Sequence, residues 1–256
     1  IMNKKSINIS EVRVSINITG SNASLIPSNL EINIIDEIQS EIVVIKKYYK
    51  DVRNIIVVGG NKITLINLDE VGNFNNYTTN SLCAAGTGSF LDQQADRLNF
   101  TNQDKNNQQF FSDPPKIASR CSVFAKSDLI HHQQRGVTKE QLWCGLCKGL
   151  TGQILNTLLR GKKLDGRTIL TGGVFQNNLV QEWFKKKLGD DIIIFKHNNF
   201  STAYGAALLS DKNGYNKLLN YKSVNINNTK NYLNQKPLQI KLSILPEELT
   251  NNHFSD

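Results

Sequence analysis

The most informative segment of the chain reads Asn80-Ser81-Leu82-Cys83-Ala84-Ala85-Gly86-Thr87-Gly88-Ser89-Phe90-Leu91-Asp92-Gln93-Gln94-Ala95. It combines a cysteine, two glycines around a threonine and the beginning of an amphipathic pattern. Residues of one helical face recur after the glycines, at Phe90, Leu91, Gln94 and Leu98. This spacing predicts a helix that begins near Gly88 or Ser89.

The residues before this helix suggest a binding role. Glycine allows a backbone to approach a ligand closely. Unpaired N–H groups at the start of a helix attract an anion or stabilise a thiolate. We therefore expect free N–H groups at this helix start, available to an anion or to Cys83. Two structural alternatives remain, because an ordinary turn also uses glycine and a cysteine is often a small buried hydrophobe.

Two further motifs extend the pattern. Residues 120–134 read Arg120-Cys121-Ser122-Val123-Phe124-Ala125-Lys126-Ser127-Asp128-Leu129-Ile130-His131-His132-Gln133-Gln134, and residues 171–178 read Thr171-Gly172-Gly173-Val174-Phe175-Gln176-Asn177-Asn178. Together with the first segment they resemble the ATP-dependent activators of 2-hydroxyacyl-CoA dehydratases and the related ATPase subunits of benzoyl-CoA reductase. The resemblance covers about residues 35–209, and the three motifs stand in the order of that family.

The resemblance implies an α/β fold of the actin, sugar-kinase and Hsp70 type, which is a two-lobed, ribonuclease H-like ATPase fold. The family's amino-terminal phosphate-binding turn would lie upstream of Ile1, so the sequence is expected to be a fragment that lacks this part. We expect an activase-like ATPase domain over residues 1–210. Residues 211–256 are rich in Asn and Lys and are expected to form a linker or the start of a further region.

Two apolar strands each end in a pair of glycines, at residues 54–60 and 168–173. Taken alone, these are compatible with two ordinary strand-end turns. The resemblance implies instead that one pair faces the phosphates of ATP or ADP, bound with Mg²⁺, and the other faces the adenosine. The implied nucleotide-binding residues are Gly59, Gly60 and Asn61, then Gly86, Thr87 and Gly88, and finally Gly172, Gly173 and Asn177.

The phosphate turn departs from the family pattern. Members usually read Asp-Ile-Gly-Gly-Gln-Asp, whereas this chain reads Val57-Val58-Gly59-Gly60-Asn61-Lys62. Both acidic positions are therefore replaced, and a lysine cannot coordinate the Mg²⁺ ion that needs oxygen ligands. We expect ATP hydrolysis by this chain to be slow, with partial retention of nucleotide binding.

The four cysteines fall into two pairs. The resemblance implies that Cys83 and Cys121 of two chains together hold one [4Fe–4S] cluster, shared across a homodimer, because such a cluster needs four thiolates. The alternative is two buried structural cysteines. Cys144 and Cys147 form a Cys-x-x-Cys pattern inside a predicted helix over residues 138–159. No second Cys or His pair follows at zinc spacing, so core packing is predicted for them.

Other local patterns predict a capping box at Thr138 and Gln141. They also predict a half-buried strand at 12–18, strands at 63–69 and 238–245, a buried strand at 191–195, and helices at 32–45 and 203–209. The polar, Asn- and Gln-rich residues 100–115 are interpreted as a surface connection rather than a core element.

The formal charge of +8 raises the question of nucleic-acid binding. The lysines are scattered, however, so we predict no nucleic-acid partner. No apolar run reaches the roughly 18–20 residues of a membrane helix, and the first residues do not resemble a signal peptide. The chain is therefore expected to be cytoplasmic, without membrane association and with reduced cysteines.

Two functions follow from these observations. The first is an ATP-driven iron–sulfur electron donor, the activator of a 2-hydroxyacyl-CoA dehydratase or an acyl-CoA reductase. The second is a non-hydrolysing nucleotide-binding or dimerisation module of a larger activase-like protein. The cysteine motifs favour the first, whereas Val57 and Lys62 favour the second.

Overall fold

The computed structural model describes residues 16–25, 32–80, 87–101, 104–119 and 122–210. Its strands are β1 (Asn17–Ile18), β2 (Asn33–Ile34), β3 (Val52–Val58), β4 (Ile63–Leu68), β5 (Phe74–Thr79), β6 (Arg167–Thr171) and β7 (Ile193–Ile194). Its α-helices are α1 (Glu37–Tyr48), α2 (Gly88–Arg97), α3 (Ser122–Gln134), α4 (Lys139–Leu159), α5 (Asn178–Leu188) and α6 (Ser201–Leu208). Short 3₁₀ turns cover Ala23–Leu25, Asp104–Asn106 and Gly173–Gln176.

The described strands β3 to β7 form one mixed sheet in the order β5-β4-β3-β6-β7. The central strand β3 is parallel to β6 and antiparallel to β4. Its second half, residues 55–58, is continuously apolar, as expected for a strand covered on both faces. Because β3 and β6 are parallel neighbours, their two Gly-Gly ends lie at the same edge of the sheet. Strands β1 and β2 form a separate parallel pair.

Helices cover both faces of the sheet. Successive residues of β3 face opposite layers, because side chains alternate along a strand. Ile55 packs with Val44 and Ile45 of α1 on one side. Ile56 and Val58 pack on the other side against a larger core from α2, α4 and α5, in which the largest buried side chains are Phe90, Trp143, Phe175 and Phe184. The predicted α/β class is confirmed.

Several local predictions are confirmed. Helix α2 begins at Gly88. Helix α4 begins with the predicted capping box: Thr138 Oγ1 accepts a hydrogen bond from Gln141 N, and Gln141 Oε1 accepts one from Thr138 N. Helix α4 ends at the left-handed residue Arg160 (φ 49°). Both ends of the longest helix therefore follow from local sequence.

Other predictions were wrong in part. Strand β5 was not predicted. The helix expected from residue 32 begins only at Glu37, after the capping residue Asp36, and the strand expected at 191–195 is reduced to Ile193–Ile194. Of the expected strand at 12–18, residues 17 and 18 are described as a strand, and the segment at 238–245 lies outside the described residues.

The segment 100–115 is not only a surface connection. Phe100 is buried, and the carbonyl of Lys105 accepts a hydrogen bond of 2.9 Å from Trp143 Nε1 of α4. A Cβ atom added at Gly145 would lie 2.3 Å from the carbonyl oxygen of Pro115. The segment therefore packs closely on α4, although its many Asn and Gln residues hide this in the sequence.

In the part of the chain that the structure describes, no helix is long and apolar enough to cross a membrane.

Helices α1 and α6 pack with almost no space between their backbones. A Cβ atom added at Gly205 would lie 1.8 Å from the carbonyl oxygen of Ser40. The contact brings α6 against α1, where Ser201 and Thr202 meet Glu41.

We predict that Gly205→Ala lowers the free energy of unfolding by about 2 kcal/mol or more, because the two helices must move apart. Gly152→Ala is the matched control: outside its own helix, an added Cβ there meets no described atom within 4 Å. This control should gain about 0.5–1 kcal/mol from the helix preference of alanine. Urea denaturation of both variants measures the difference, and equal effects would contradict the packing.

Candidate functional site

Three glycine turns meet at one edge of the sheet. Gly172 has a φ of 101°, and a Cβ atom there would lie 2.3 Å from the carbonyl oxygen of Val58. Only glycine fits this position, since a side chain would clash with β3 and would also strain the backbone. A Cβ at Gly88 would lie 2.9 Å from Val174 Cγ2 and 3.2 Å from Gly59 O. The ends of β3 and β6 and the start of α2 are therefore in backbone contact.

The start of α2 differs from the prediction. Its first N–H groups were expected to be free for an anion or for the Cys83 thiolate. Instead, Gly88 N donates to Gly59 O at 2.9 Å, and Ser89 N donates to Gly60 O at 2.8 Å. Phe90 N donates to the carbonyl of the buried Thr87 at 3.2 Å. The N–H groups of Gly88 and Ser89 therefore attach α2 to the turn after β3 and position that turn.

Two cavities share Gly60 in their lining. The first, which we call the Lys62 cavity, has a volume of about 750 Å³ and lies between the turn after β3, residues 18–23, α1 and the start of α6. The second, which we call the Gly173 cavity, has a volume of about 280 Å³ and lies between the same turn, α2, α4 and residues 173–177. A ligand that crosses Gly60 would occupy both.

The Gly173 cavity has an apolar wall and a polar rim. Its lining residues are Gly60, Gly88, Leu91, Asp92, Lys105, Asn106, Trp143, Gly173, Val174, Gln176 and Asn177. Lys105 Nζ forms an ion pair of 2.6 Å with Asp92 at the rim. A Cβ added at Gly173 would meet no described atom within 4 Å. Protein packing therefore does not explain the glycine at this position, which faces open space.

Asn177 organises the Gly173 cavity through its side chain. Its Oδ1 accepts hydrogen bonds from Leu179 N and Val180 N, which caps α5, and its Nδ2 donates to Lys105 O at 2.8 Å. Cys147 Sγ also contacts Oδ1, at 3.8 Å. At most one amide N–H of Asn177 is then left for a ligand. Asn177 thus holds the 104–106 turn against α4 and α5.

The Lys62 cavity also has charged side chains in its lining. Lys62 closes the turn, because its carbonyl accepts from Gly59 N at 2.9 Å. Its Nζ forms an ion pair of 2.8 Å with Glu37 Oε2, and Ser21 Oγ donates to Glu37 Oε1. Asn61 Oδ1 accepts from Ser89 Oγ at 2.8 Å. The side chains of this turn are thus engaged with one another and with α1 and α2.

Glu41 also lines the Lys62 cavity and is almost fully buried. Its Oε1 accepts hydrogen bonds from the hydroxyl groups of Ser201 and Thr202, whereas its Oε2 has no hydrogen-bond partner among the described residues. Burial raises the pKa of this carboxyl, against the opposing effect of the two hydroxyl donors. The neutral acid is therefore favoured relative to an exposed glutamate.

We predict that Glu41 makes the stability of the fold depend on pH. Its pKa is raised in the folded state, so its contribution is fully present below the pKa of the unfolded chain and is lost as the pH rises through the folded pKa. Between pH 5 and pH 8 the native chain should lose more unfolding free energy than Glu41→Gln, which carries no titrating group at this position. Parallel urea-denaturation curves against pH for the two proteins would contradict this account.

Sequence reasoning missed Glu41, although a signal was present. Glu41 falls between Ile38 and Ile45 at helical spacing, and a carboxylate within an apolar stripe is unusual. It missed Asp92, Lys105 and Trp143 because residues distant along the chain converge there only after 104–106 has folded onto α4.

The structure describes only some of the residues that the resemblance implies for the cluster, the metal ion and the nucleotide. Gly86, Cys83 and Cys121 lie outside the described residues. Within the described ranges, no group of three or more His, Cys, Asp or Glu side chains could hold a metal ion. At the turn itself, Val57 is apolar and Lys62 is a cation, so an oxygen-ligand set for Mg²⁺ does not fit there.

The Cys-x-x-Cys pair belongs to the core, as predicted. Cys144 and Cys147 are fully buried in α4. Cys144 Sγ donates to the carbonyl of Phe111 at 3.5 Å. Burial raises the pKa of the Cys147 thiol well above its usual range, so it stays protonated at neutral pH.

The fold is similar to that of known activator ATPases. The activator of the 2-hydroxyisocaproyl-CoA dehydratase from Clostridium difficile, solved with bound ADPNP, superimposes with a TM-score of 0.70 over 81% of this chain and 76% of that chain, at 24% identity. The chain thus has the fold of the activator ATPases, which is the predicted actin, sugar-kinase and Hsp70-like fold.

A sequence match identifies the family of this chain. Residues 5–210 match the BadF/BadG/BcrA/BcrD ATPase family, and the chain belongs to it. It is 32% identical over 157 residues to the activator of lactoyl-CoA dehydratase from Anaerotignum propionicum, covering 61% of this chain and 60% of that protein. It is 28% identical over 185 residues to an uncharacterised protein of Methanocaldococcus jannaschii, covering 70% of this chain and 74% of that protein. The match therefore spans less than two thirds of the length of the lactoyl-CoA dehydratase activator.

Proposed function

We propose that this chain binds an adenine nucleotide across Gly60, with the adenosine in the Gly173 cavity and the phosphates in the Lys62 cavity. The observation that carries this proposal is that Gly60 lines both cavities, while Gly173 has open space above it. The Lys62 cavity, at about 750 Å³, lies within the range of about 300–1,000 Å³ that is usual for ligand pockets, and the Gly173 cavity, at about 280 Å³, lies just below it. Membership of an ATPase family supports the same ligand.

We further propose that the chain is an ATP-dependent iron–sulfur electron donor for a 2-hydroxyacyl-CoA dehydratase or an acyl-CoA reductase. Support comes from the activators that it resembles and from the Cys83 and Cys121 motifs. When bound, a [4Fe–4S] cluster supplies a one-electron carrier held by four thiolates. Two thiolates from each of two chains make that set. We expect the assembly to be cytoplasmic, where cysteines stay reduced.

The exposed start of α3 supports a homodimer. Val123 and Phe124 lie two and three residues after Cys121 in the sequence and are 66% and 65% exposed. Two large apolar side chains on the surface next to a proposed cluster ligand suit a contact with a second copy, since an interface core is apolar. The nucleotide cavities lie at the edge of the sheet, and in the sequence Cys83 and Cys121 precede α2 and α3.

The alternative is a non-hydrolysing nucleotide-binding module. The observation that favours it is the turn after β3, where Val57 is apolar and Lys62 is paired with Glu37. Phosphoryl transfer depends on a metal ion and a positioned water, and these side chains supply neither. ATP turnover by the full chain in Mg²⁺ would favour the electron donor over this alternative.

The nucleotide proposal predicts that Gly173→Val abolishes ADP binding, because the branched side chain fills space reserved for the purine or ribose. The fold should tolerate it, since an added Cβ meets no described neighbour within 4 Å. Gly152→Val, at another open glycine away from both cavities, is the control and should bind ADP like the native chain. Calorimetric titration measures both variants, and unchanged ADP affinity in Gly173→Val would refute the placement.

The cluster proposal predicts about four iron atoms per dimer in anaerobically purified protein. Cys83→Ser and Cys121→Ser should each lose the iron and the brown colour. Cys144→Ala is the matched control, because it removes a thiol from the buried core and should retain iron. Iron determination and visible absorption measure the result. Full iron content in Cys83→Ser, or loss of iron only in the control, would contradict the ligand assignment.

A further inference from the structure

The turn after β3 carries a positive charge where a nucleotide would place its phosphates. Lys62 is the charged residue of this turn, and it lines the larger cavity together with Gly59, Gly60 and Asn61. The carboxylates that line the same cavity, Glu37 and Glu41, both belong to α1. The wall that would meet the phosphates is therefore cationic rather than a set of oxygen ligands.

Both carboxylates of α1 already have hydrogen-bond donors. Glu37 accepts from Lys62 Nζ at 2.8 Å and from Ser21 Oγ at 3.1 Å, and Glu41 accepts from Ser201 and Thr202 of α6. Coordination of a divalent cation between them would disrupt these contacts. In addition, the buried Glu41 has a raised pKa, which lowers the negative charge inside the cavity.

We propose that Lys62 takes the place of the divalent cation, so that its ammonium group leaves Glu37 and binds the terminal phosphates of a nucleoside diphosphate or triphosphate directly. This inference rests on the proposed nucleotide site and adds that phosphate binding there is independent of metal. The chemistry is that of a lysine phosphate contact, in which a compact cation donates up to three hydrogen bonds to phosphate oxygens.

Moving the Lys62 ammonium group from Glu37 to a phosphate should cost little free energy. The Lys62 side chain is 46% exposed, and an ion pair in contact with solvent contributes little to stability. The backbone of Lys62 is fixed by the hydrogen bond from Gly59 N, so only the side chain has to move. Glu37 is the first residue of α1, where the helix dipole favours a carboxylate, and Ser21 still donates to it. Glu37 therefore remains stabilised after Lys62 has left.

Substitution of the two partners of the ion pair should change the affinity for ADP in opposite directions. Lys62→Met removes the phosphate contact and should weaken ADP binding by about tenfold, the loss of one charge-assisted contact. Glu37→Gln removes the competing carboxylate and should tighten ADP binding about threefold, as expected for a half-exposed pair. Neither change should alter the binding of adenosine, which has no phosphate.

The test is calorimetric titration of the full chain with adenosine and with ADP, in Mg²⁺ and in EDTA. Lys163→Met and Glu70→Gln are charge-matched controls at exposed residues outside both cavities, and they should behave like the native chain. We expect ADP affinity in EDTA to stay within about twofold of that in Mg²⁺, since no cation bridges the contact. The opposite shifts in Lys62→Met and Glu37→Gln would then support the proposal.

The titrations distinguish a wrong role for Lys62 from a wrong nucleotide site. Loss of ADP binding in EDTA, or unchanged ADP affinity in both variants, would overturn the role of Lys62 while leaving the nucleotide site in place. If neither adenosine nor ADP binds under any condition, the proposed nucleotide site itself is wrong and this inference falls with it. If Lys62→Met does not fold, as judged by circular dichroism, the sign of the Glu37→Gln effect decides: weaker or unchanged ADP binding would reject the proposal.

Discussion

The arrangement of the site depends on the contact between the backbone of Gly172 and the carbonyl of Val58. This contact exists because β3 and β6 are parallel neighbours and because Gly172 has no side chain at a φ of 101°. It brings the turn after β3 beside the turn after β6. The carbonyls of Gly59 and Gly60 then accept the first N–H groups of α2, which joins the third glycine turn to the other two. A larger residue at position 172 would separate the two strand ends and with them the two cavities.

The two cavities that share Gly60 are chemically different, and the difference suits the two ends of a nucleotide. The Gly173 cavity has Leu91, Trp143 and Val174 in its wall, with one ion pair at its rim. The Lys62 cavity has charges supplied by the turn and by α1. Its far wall depends on Gly205, which allows α6 to approach α1 and places Ser201 and Thr202 beside Glu41. Packing far from the turn therefore determines the electrostatics near it.

Much of the fold could be predicted from local signals. The apolar run that ends at Gly59 and Gly60, the helix start at Gly88 and the capping box of α4 each depend on neighbouring residues, so the sequence carries them directly. Strand β5 could not be predicted, because Phe74 to Thr79 form a polar, exposed edge strand whose pairing with β4 supplies its structure. The packing of 100–115 was missed for a related reason, since its buried contacts are made by Phe100 and by backbone carbonyls. The roles of Lys105 and Asp92 appear only once distant segments meet.

The central claim is that one nucleotide lies across Gly60 and occupies both cavities. A crystal structure of the chain with ADP tests it most directly. The account predicts adenosine against Gly173 and the β-phosphate within hydrogen-bonding distance, about 3 Å, of Lys62 Nζ, with Glu37 no longer paired to that lysine. ADP bound away from both glycine turns, or with its phosphates in the Gly173 cavity, would contradict the account.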